Sequence, residues 1–360
     1  MSEPLRLLQF SDLHIGAEEP RAVEALQALV RELRPDVLLC TGDLTQRARP
    51  GQFGRVALLL QGLQAPVRVL LPGNHDLPPL WQPWHRWRGG RGRWQALLRA
   101  LAARPHETPH PAGPAPSGRW IDAAPGGPVG ASSMTLGSVA GPWQAPAAAG
   151  VLALHIRLPG RPALQLCAVD TCRAWLQARG AVSGAQRRMV TRVLQATPAA
   201  WRLVATHHPL QPGALAPADD RALCAEAAWT AWAAAGADLV LSGHSHVSAV
   251  VGLTEPDREP DPGLASASAG AGAGAAAAAA AGVPPVPAGV ARQVLCASAT
   301  SWRRRAGVPN SVLLLSLGAA DAPTGGPSAG RTARWQRWVW TPARPDFVAG
   351  PVQVLPPVPG

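Results

Sequence analysis

Residues 5–73 alternate between two kinds of segment, and that alternation narrows the fold more than any other feature. The apolar runs "LRLLQF" (5–10), "PDVLLCTG" (35–42) and "APVRVLLPG" (65–73) read as strands. Between them lie "EPRAVEALQALVREL" and "GQFGRVALLLQGL", whose apolar residues recur at helical spacing. In the first of these Val23, Leu26, Leu29, Val30 and Leu33 share one face. Strand–helix–strand units repeated in this way imply parallel strands joined by right-handed crossovers. In such sheets ligands bind outside the carboxyl ends of the strands, so those ends are where function is sought.

Five strand ends carry polar clusters. The first is "SDLH", with Asp12 and His14 two residues apart, a spacing that in extended chain turns both side chains to one side. "TGDL" follows, where Gly42 lets the chain turn and presents Asp43. Then come "GNHD" (Asn74, His75, Asp76), "THHP" (His207, His208) and "SGHSH" (His244, His246). Taken singly each is weak: a Gly-Asp pair is usually a turn, and a lone Asp-x-His is often accidental. Together they hold six of the ten histidines in the chain, all on strand ends that the fold rule places along one edge. Mixed carboxylate, amide and imidazole donors suit first-row divalent ions such as Mn, Fe, Zn or Co. The absence of Cys from the clusters argues against a structural zinc site. The donors outnumber what one tetrahedral ion needs, whereas two ions about 3.5–4 Å apart would use them all in phosphoryl chemistry.

In this order and context the motifs "SDLH", "TGDL", "GNHD", "THHP" and "GHSH" resemble the calcineurin-like metallophosphoesterase superfamily, over residues 5–250. The tail "SATSWRRRAGVPNSVLLLSL" resembles, less specifically, the closing region of the bacterial cyclic-nucleotide (class III) phosphodiesterase branch. The resemblance implies an α/β/β/α sandwich of two mixed sheets between helices. It implies a first metal held by Asp12, His14 and His246, a second held by Asn74, His207 and His244, and Asp43 bridging both. It selects His207 over His208 as the ligand in "THHP". It makes His75 the group that faces the phosphate, as general acid or transition-state stabiliser, after a hydroxide on the metals attacks phosphorus. Asp76 has two readings: it accepts a hydrogen bond from His75 and orients the ring, or it caps the turn.

The leading expectation is therefore a phosphodiesterase with two divalent metals, acting on a small phosphodiester such as a cyclic nucleotide. "SDLHIG" also resembles the start of DNA-repair nucleases, so a nucleic-acid substrate is kept as a less favoured alternative. Hydrolysis of a lipid-linked or nucleotide-sugar pyrophosphate is another, and a metal-binding scaffold without turnover is a reading of a different class. The formal charge of +11 points to acidic partners at first sight, but every basic residue is Arg and the bias runs through the whole chain. That favours solvated surface Arg over a nucleic-acid patch.

The rest of the chain is expected to complete one domain over residues 1–360. A Trp/Arg/Pro-rich insertion at 81–130 reads as a cap that contains one helix, "WQALLRALAA". A low-complexity Gly/Ala/Pro loop spans 256–291. Further strands are expected at "SMTLGSV", "GVLALHIRL", "ALQLCAVDT", "WRLVATHHP", "ADLVLSGHSH", "RQVLCASAT", "NSVLLLSL" and "RWQRWVW". Helices are expected at "SGAQRRMVTRVLQ", with Ser183 as N-cap, and at "DRALCAEAAWTAWAAAG". Five scattered cysteines fit a reducing compartment. With no signal peptide and no membrane-length apolar run, the chain reads as cytoplasmic. Asp170 is a candidate for support of the site. His155 reads as a packed core histidine, His85, His106 and His110 have no ligand spacing, and Arg303, Arg304 and Arg305 read as a solvated basic turn.

Overall fold

The computed structural model describes residues 3–78, 91–102, 132–135, 142–146, 150–196, 199–211, 213, 218–251, 291–305, 307–320 and 331–355. Most of the 81–130 insertion, with His85, His106 and His110, and all but the last residue of the 256–291 loop lie outside the described residues.

The opening alternation becomes β1 (Leu5–Phe10), α1 (Pro20–Leu33), β2 (Val37–Cys40), α2 (Pro50–Gly62) and β3 (Val67–Leu70). Both helices start on a proline, whose missing N–H would be unpaired there anyway. The helix expected inside the insertion is α3 (Gly92–Ala102). Then come β4 (Ser132–Thr135), β5 (Trp143–Gln144), β6 (Val151–Arg157), β7 (Leu164–Val169), α4 (Gly184–Ala196), β8 (Trp201–Thr206), α5 (Ala225–Ala234) and β9 (Leu239–Ser242). β10 (Ala249–Val250), β11 (Arg292–Leu295), β12 (Asn310–Ala320), β13 (Arg331–Trp340) and β14 (Val348–Leu355) close the chain. Ser183 does cap α4. Its hydroxyl accepts from the Gln186 N–H at 3.1 Å while Gln186 Oε1 accepts from the Ser183 N–H at 2.9 Å, a reciprocal capping box.

Two seven-stranded sheets form, ordered β14-β13-β12-β1-β2-β3-β5 and β10-β11-β9-β8-β7-β6-β4. The runs β1-β2-β3-β5 and β7-β8-β9-β11 are parallel, and antiparallel strands extend them. Alternation along β1 shows how the layers stack. Leu5 and Leu7 pack between the sheets with Leu166, Leu203 and Leu241, while Leu8 and Phe10 face the other way, onto α1 and α2. On the far side Val169, Val204 and Val240 meet α4 and α5 through Val190, Leu194 and Trp232. The result is the α/β/β/α sandwich. No helix among the described residues is long and apolar enough to cross a membrane.

Three strands, β5, β10 and β14, were not legible as such. β14, "VAGPVQVL", contains Gly350 and Pro351 and is not singled out as a strand by its sequence. It is tolerated because it lies at the sheet edge, where a residue without an N–H leaves no ladder bond broken on the outer side. β5 and β10 are only two residues long each.

Candidate metal centre

The carboxyl ends of β1, β2, β3, β8 and β9 bring all five polar clusters together. The β1 and β2 loops run side by side: the N–H groups of Asp12, His14 and Ile15 donate to the carbonyls of Gly42, Asp43 and Leu44 at 2.9, 3.0 and 2.9 Å. Gly42, at φ +108°, supplies the turn before Asp43.

The side chains converge in two groups that share Asp43. On one side the Nε2 atoms of His14 and His246 lie 3.0 Å apart. Asp12 Oδ1 is 3.3 Å from the His246 nitrogen and 3.7 Å from that of His14, and Asp43 Oδ2 is 3.6 Å from His14. On the other side His207 Nε2 is 3.1 Å from Asn74 Oδ1 and 3.5 Å from Asp43 Oδ1, and the His207 and His244 rings are 5.1 Å apart. The two oxygens of Asp43 therefore face different groups.

Backbone conformation sets this arrangement. Asp12, His14, Asp43, His244 and His246 all lie in the left-handed region, with φ between 47° and 66°. They are five of the nine described non-glycine residues that do so, a conformation that is uncommon for such residues and tends to cluster at functional sites. The extended-chain argument for Asp12–His14 is thus corrected: the pair converges because both residues are left-handed, not because alternate residues of a strand share a face.

Second nitrogens fix the rings. A carbonyl can only accept, so Nδ1–H of His207 donates to Thr41 O at 2.7 Å and Nδ1–H of His246 to Arg303 O at 3.2 Å. Each Nε2 is thereby turned inward. His208 differs. Its Nε2–H donates to Ala178 O at 3.1 Å and its Nδ1 accepts from the Thr171 hydroxyl at 2.8 Å, so both nitrogens are engaged although its ring lies near His207 and His244. Burial and the neighbouring imidazoles hold it neutral, well below its ordinary pKa.

Buried carboxylates and imidazoles perturb one another strongly here. Burial alone would raise the Asp12 carboxyl, yet His246 and His14 hold it well below the usual carboxylate range. Asp43 is lowered against the same penalty by His207 and His75. Burial opposes a charge on His207, but Asp43 overcomes it and lifts the imidazole to about 9. His244, buried beside it, is pushed down to about 4. Asp12 Oδ1 and His14 Nδ1 are buried without a hydrogen-bond partner. An orphaned carboxylate oxygen facing two imidazole nitrogens, at spacings close to the ~3 Å of adjacent donors around an ion with ~2.1 Å bonds, is a donor set that fits a divalent ion. Asp12, His14, His246 and Asp43 could hold one ion, and Asn74, His207, His244 and Asp43 a second.

"GNHD" forms a single 3-10 turn, Asn74–Asp76, and divides its work. The His75 N–H donates to Asp43 Oδ1 at 2.8 Å, and its Nδ1–H donates to Gln46 O at 2.8 Å. That leaves His75 Nε2 for the cleft. Asp76 takes the capping role instead of the orienting one. Its carboxylate accepts from the N–H groups of Gly73, Leu44 and Thr45 at 2.9, 3.0 and 2.8 Å and from the Thr45 hydroxyl at 3.0 Å. The ring of His75 is oriented by the Gln46 carbonyl, so the expected Asp76–His75 bond is corrected. A main-chain acceptor leaves no side-chain signal in sequence.

Asp170 is not part of this cluster. It pairs with Arg91, accepts from the Cys172 N–H at 2.9 Å, and lines a neighbouring cleft of about 480 Å³ with Trp94, Arg173 and Gln186. Sequence reasoning missed the support behind β1. The Ser298 hydroxyl donates to Asp12 O and that of Thr300 to Leu13 O, each at 2.7 Å. The centre opens into a cleft of about 710 Å³ lined by Asp43, Asn74, His75, His244 and His246 on one side and by Trp302–Arg305 on another.

The profile of the family Calcineurin-like phosphoesterase matches residues 5–133, which carry three of the five clusters. Over those residues the chain is similar to calcineurin-like phosphoesterases. A dimetal phosphatase from Danio rerio superimposes with a TM-score of 0.52 at 11% identity, covering 96% of this chain and 99% of that one. The purple acid phosphatase PPD1 of yellow lupin gives 0.50 at 10% identity, covering 94% and 52%. Identities this low establish the shared fold alone. By sequence, UDP-2,3-diacylglucosamine pyrophosphatase LpxG of Chlamydia muridarum and that of Chlamydia trachomatis are each 36% identical over 74 residues. The match spans 20% of this chain and about a fifth, 22%, of the length of those curated relatives.

Proposed function

We propose that this chain hydrolyses phosphodiesters, with two divalent ions shared through Asp43. The observation that carries the reading is the split of Asp43: Oδ2 lies 3.6 Å from His14 and Oδ1 lies 3.5 Å from His207, each toward its own donor group. In this reading Asp12, His14 and His246 hold one ion and Asn74, His207 and His244 the other, with Mn, Fe, Zn and Co all compatible with the donors. Such an ion pair supplies charge neutralisation at the phosphoryl oxygens and a nucleophile at neutral pH. The chain's own work is positioning and proton delivery. His75, with Nδ1–H committed to Gln46 O, holds Nε2 toward the cleft, where a proton on it passes to the departing oxygen. The resemblance of the tail segment to cyclic-nucleotide phosphodiesterases favours a small diester such as a cyclic nucleotide. The LpxG similarity favours a second reading, hydrolysis of a pyrophosphate bridge in a lipid-linked or nucleotide-sugar substrate.

The test is a substrate panel with metal-reconstituted protein: cyclic nucleotides, bis(p-nitrophenyl) phosphate, a sugar nucleotide, a phosphomonoester and DNA. Turnover of diesters is expected. Activity on DNA alone, or two bound ions with no turnover of any substrate, refutes the proposal.

A further inference from the structure

The cleft has a second wall that the chemistry above does not use. After Thr300 the chain turns through Trp302, Arg303, Arg304 and Arg305, all of which line the same cleft as His75 and Asp43. The turn is tethered to the metal-binding loop: Arg303 O accepts from His246 Nδ1 at 3.2 Å, and the Arg305 guanidinium donates to Ser245 O at 3.2 Å. The turn is therefore held beside the centre, and Arg304 and Arg305 are not freely solvated.

The three arginines are not equivalent. Arg305 is engaged twice over, in an ion pair with Asp220 and in its bond to Ser245. Arg303 is exposed and lays its guanidinium over the Trp302 ring, 5.9 Å from the centroid. Arg304 is half-buried, and its Nε is sealed from solvent with no hydrogen-bond partner. No ion pair with a carboxylate engages Arg304 among the described residues. A buried donor left unpaired is unfavourable, and a guanidinium fork matches the oxygens of a phosphate.

We infer that Arg304 is the binding residue for a second phosphoryl group, which selects the second of the two substrate readings above, a pyrophosphate diester, over a diester with a single phosphate. The inference rests on the reading of the neighbouring centre as a phosphoester hydrolase. One phosphoryl group sits at the Asp43 and His75 side and the other at Arg304. Water adds its oxygen to the first phosphorus. The bridging P–O bond breaks, its electron pair goes to the departing phosphate, and two phosphomonoesters and two protons result. Trp302, 57% exposed at the mouth, offers a flat face to a base or an apolar group attached beyond. A cyclic nucleotide, with one anionic phosphate, leaves Arg304 without a partner.

The experiment compares metal-loaded wild type with Arg304→Ala, Arg304→Lys and, as a control for lost charge, Arg344→Ala, an exposed residue of the β13–β14 turn. kcat/KM is measured on a sugar nucleotide and on bis(p-nitrophenyl) phosphate. Affinity for methylenediphosphonate and for orthophosphate is measured by calorimetry. Loss of a charge-assisted bond predicts that Arg304→Ala weakens diphosphonate binding, and lowers kcat/KM on the sugar nucleotide relative to the single-phosphate diester, by about 10- to 100-fold. Arg304→Lys loses less, since it keeps the charge, and Arg344→Ala changes neither ratio. An equal effect of Arg304→Ala on both substrates and both anions overturns the inference. If wild type hydrolyses neither substrate, the hydrolase reading fails on its own, and the two anion affinities still decide whether the subsite exists.

Discussion

Replacing Gly73 by Ala tests the site geometry at one atom. A Cβ at this position would lie 2.0 Å from Asp43 Oδ1 and 2.1 Å from the Asp43 backbone nitrogen, where ordinary contact begins at 3.4 Å. The shortfall against the backbone atom is about 1.3 Å, and a backbone nitrogen cannot rotate aside, so one strand-end loop must move relative to the other. Gly73 has φ −104°, which alanine adopts freely, so the effect isolates the close approach from backbone preference. Overpacking of this kind destabilises by about 1–3 kcal/mol. Misplacing a reacting group by about 1 Å lowers turnover on the order of 100-fold. We expect a folded protein with a lower melting temperature, less than two equivalents of bound metal, and turnover reduced by about two orders of magnitude. Gly54→Ala is the control. It lies in α2 with nothing within 4 Å of the added carbon, and should stabilise by about 0.5–1 kcal/mol. Metal content by elemental analysis, melting by circular dichroism and diester turnover read all three. Wild-type metal content and turnover in Gly73→Ala would refute the idea that the β2 and β3 loops fix Asp43.

His75→Ala should retain both ions and lose about 10²–10⁴ in turnover on diesters with poor leaving groups. An unchanged rate there would remove the proton-donor role. Arg331→Ala breaks a paired contact in which its two terminal nitrogens reach Asp238 at 2.7 and 2.9 Å, with Asp238 2% exposed. Leaving that carboxylate unpaired should reduce stability by about 3–5 kcal/mol in urea unfolding, and a loss below 1 kcal/mol would show the pair to be solvated. His155 is 4% exposed, and burial together with neighbouring Arg157 lowers its pKa. Its folded pKa lies below its unfolded value, so the unfolded chain takes up the proton first and stability falls as pH drops below about 6.5. His155→Gln should flatten the stability profile between pH 7 and 5 by at most about 1.4 kcal/mol per pH unit. An identical slope in the variant would refute the shift.

What sequence made legible follows the strength of local pattern. α1, β1, β2 and β3 stand within three residues of where periodicity places them, because apolar spacing and burial coincide there. The clusters meet because the carboxyl ends of β1, β2 and β3 in one sheet lie against those of β8 and β9 in the other. β14 failed because Gly350 and Pro351 argue against a strand unless the position is known to be an edge. The 302–305 turn failed for a different reason. Charge runs are usually solvated, and what holds this turn beside the centre is the bond from His246 to the Arg303 carbonyl, which no local pattern encodes.

The left-handed residues carry the argument one step further. Asp12, Asp43, His244 and His246 each occupy a conformation that costs of order 1–3 kcal/mol for a non-glycine residue. Glycine would relieve that strain but has no donor to offer, so at these positions ligand chemistry and backbone preference conflict. The conflict is held in place by bonds from several directions. Asp12 is fixed by Gly42 O, by the His244 N–H and by the Ser298 hydroxyl, and Asp43 by the His14 and His75 N–H groups. Each strained residue is therefore anchored by another member of the cluster or by the Ser298–Thr300 segment behind it. Adjacent strand ends are what make that mutual anchoring available, since each loop supplies the partners its neighbour's backbone needs. This is why the fold is legible from the strands while the donor geometry depends on contacts between segments remote in sequence.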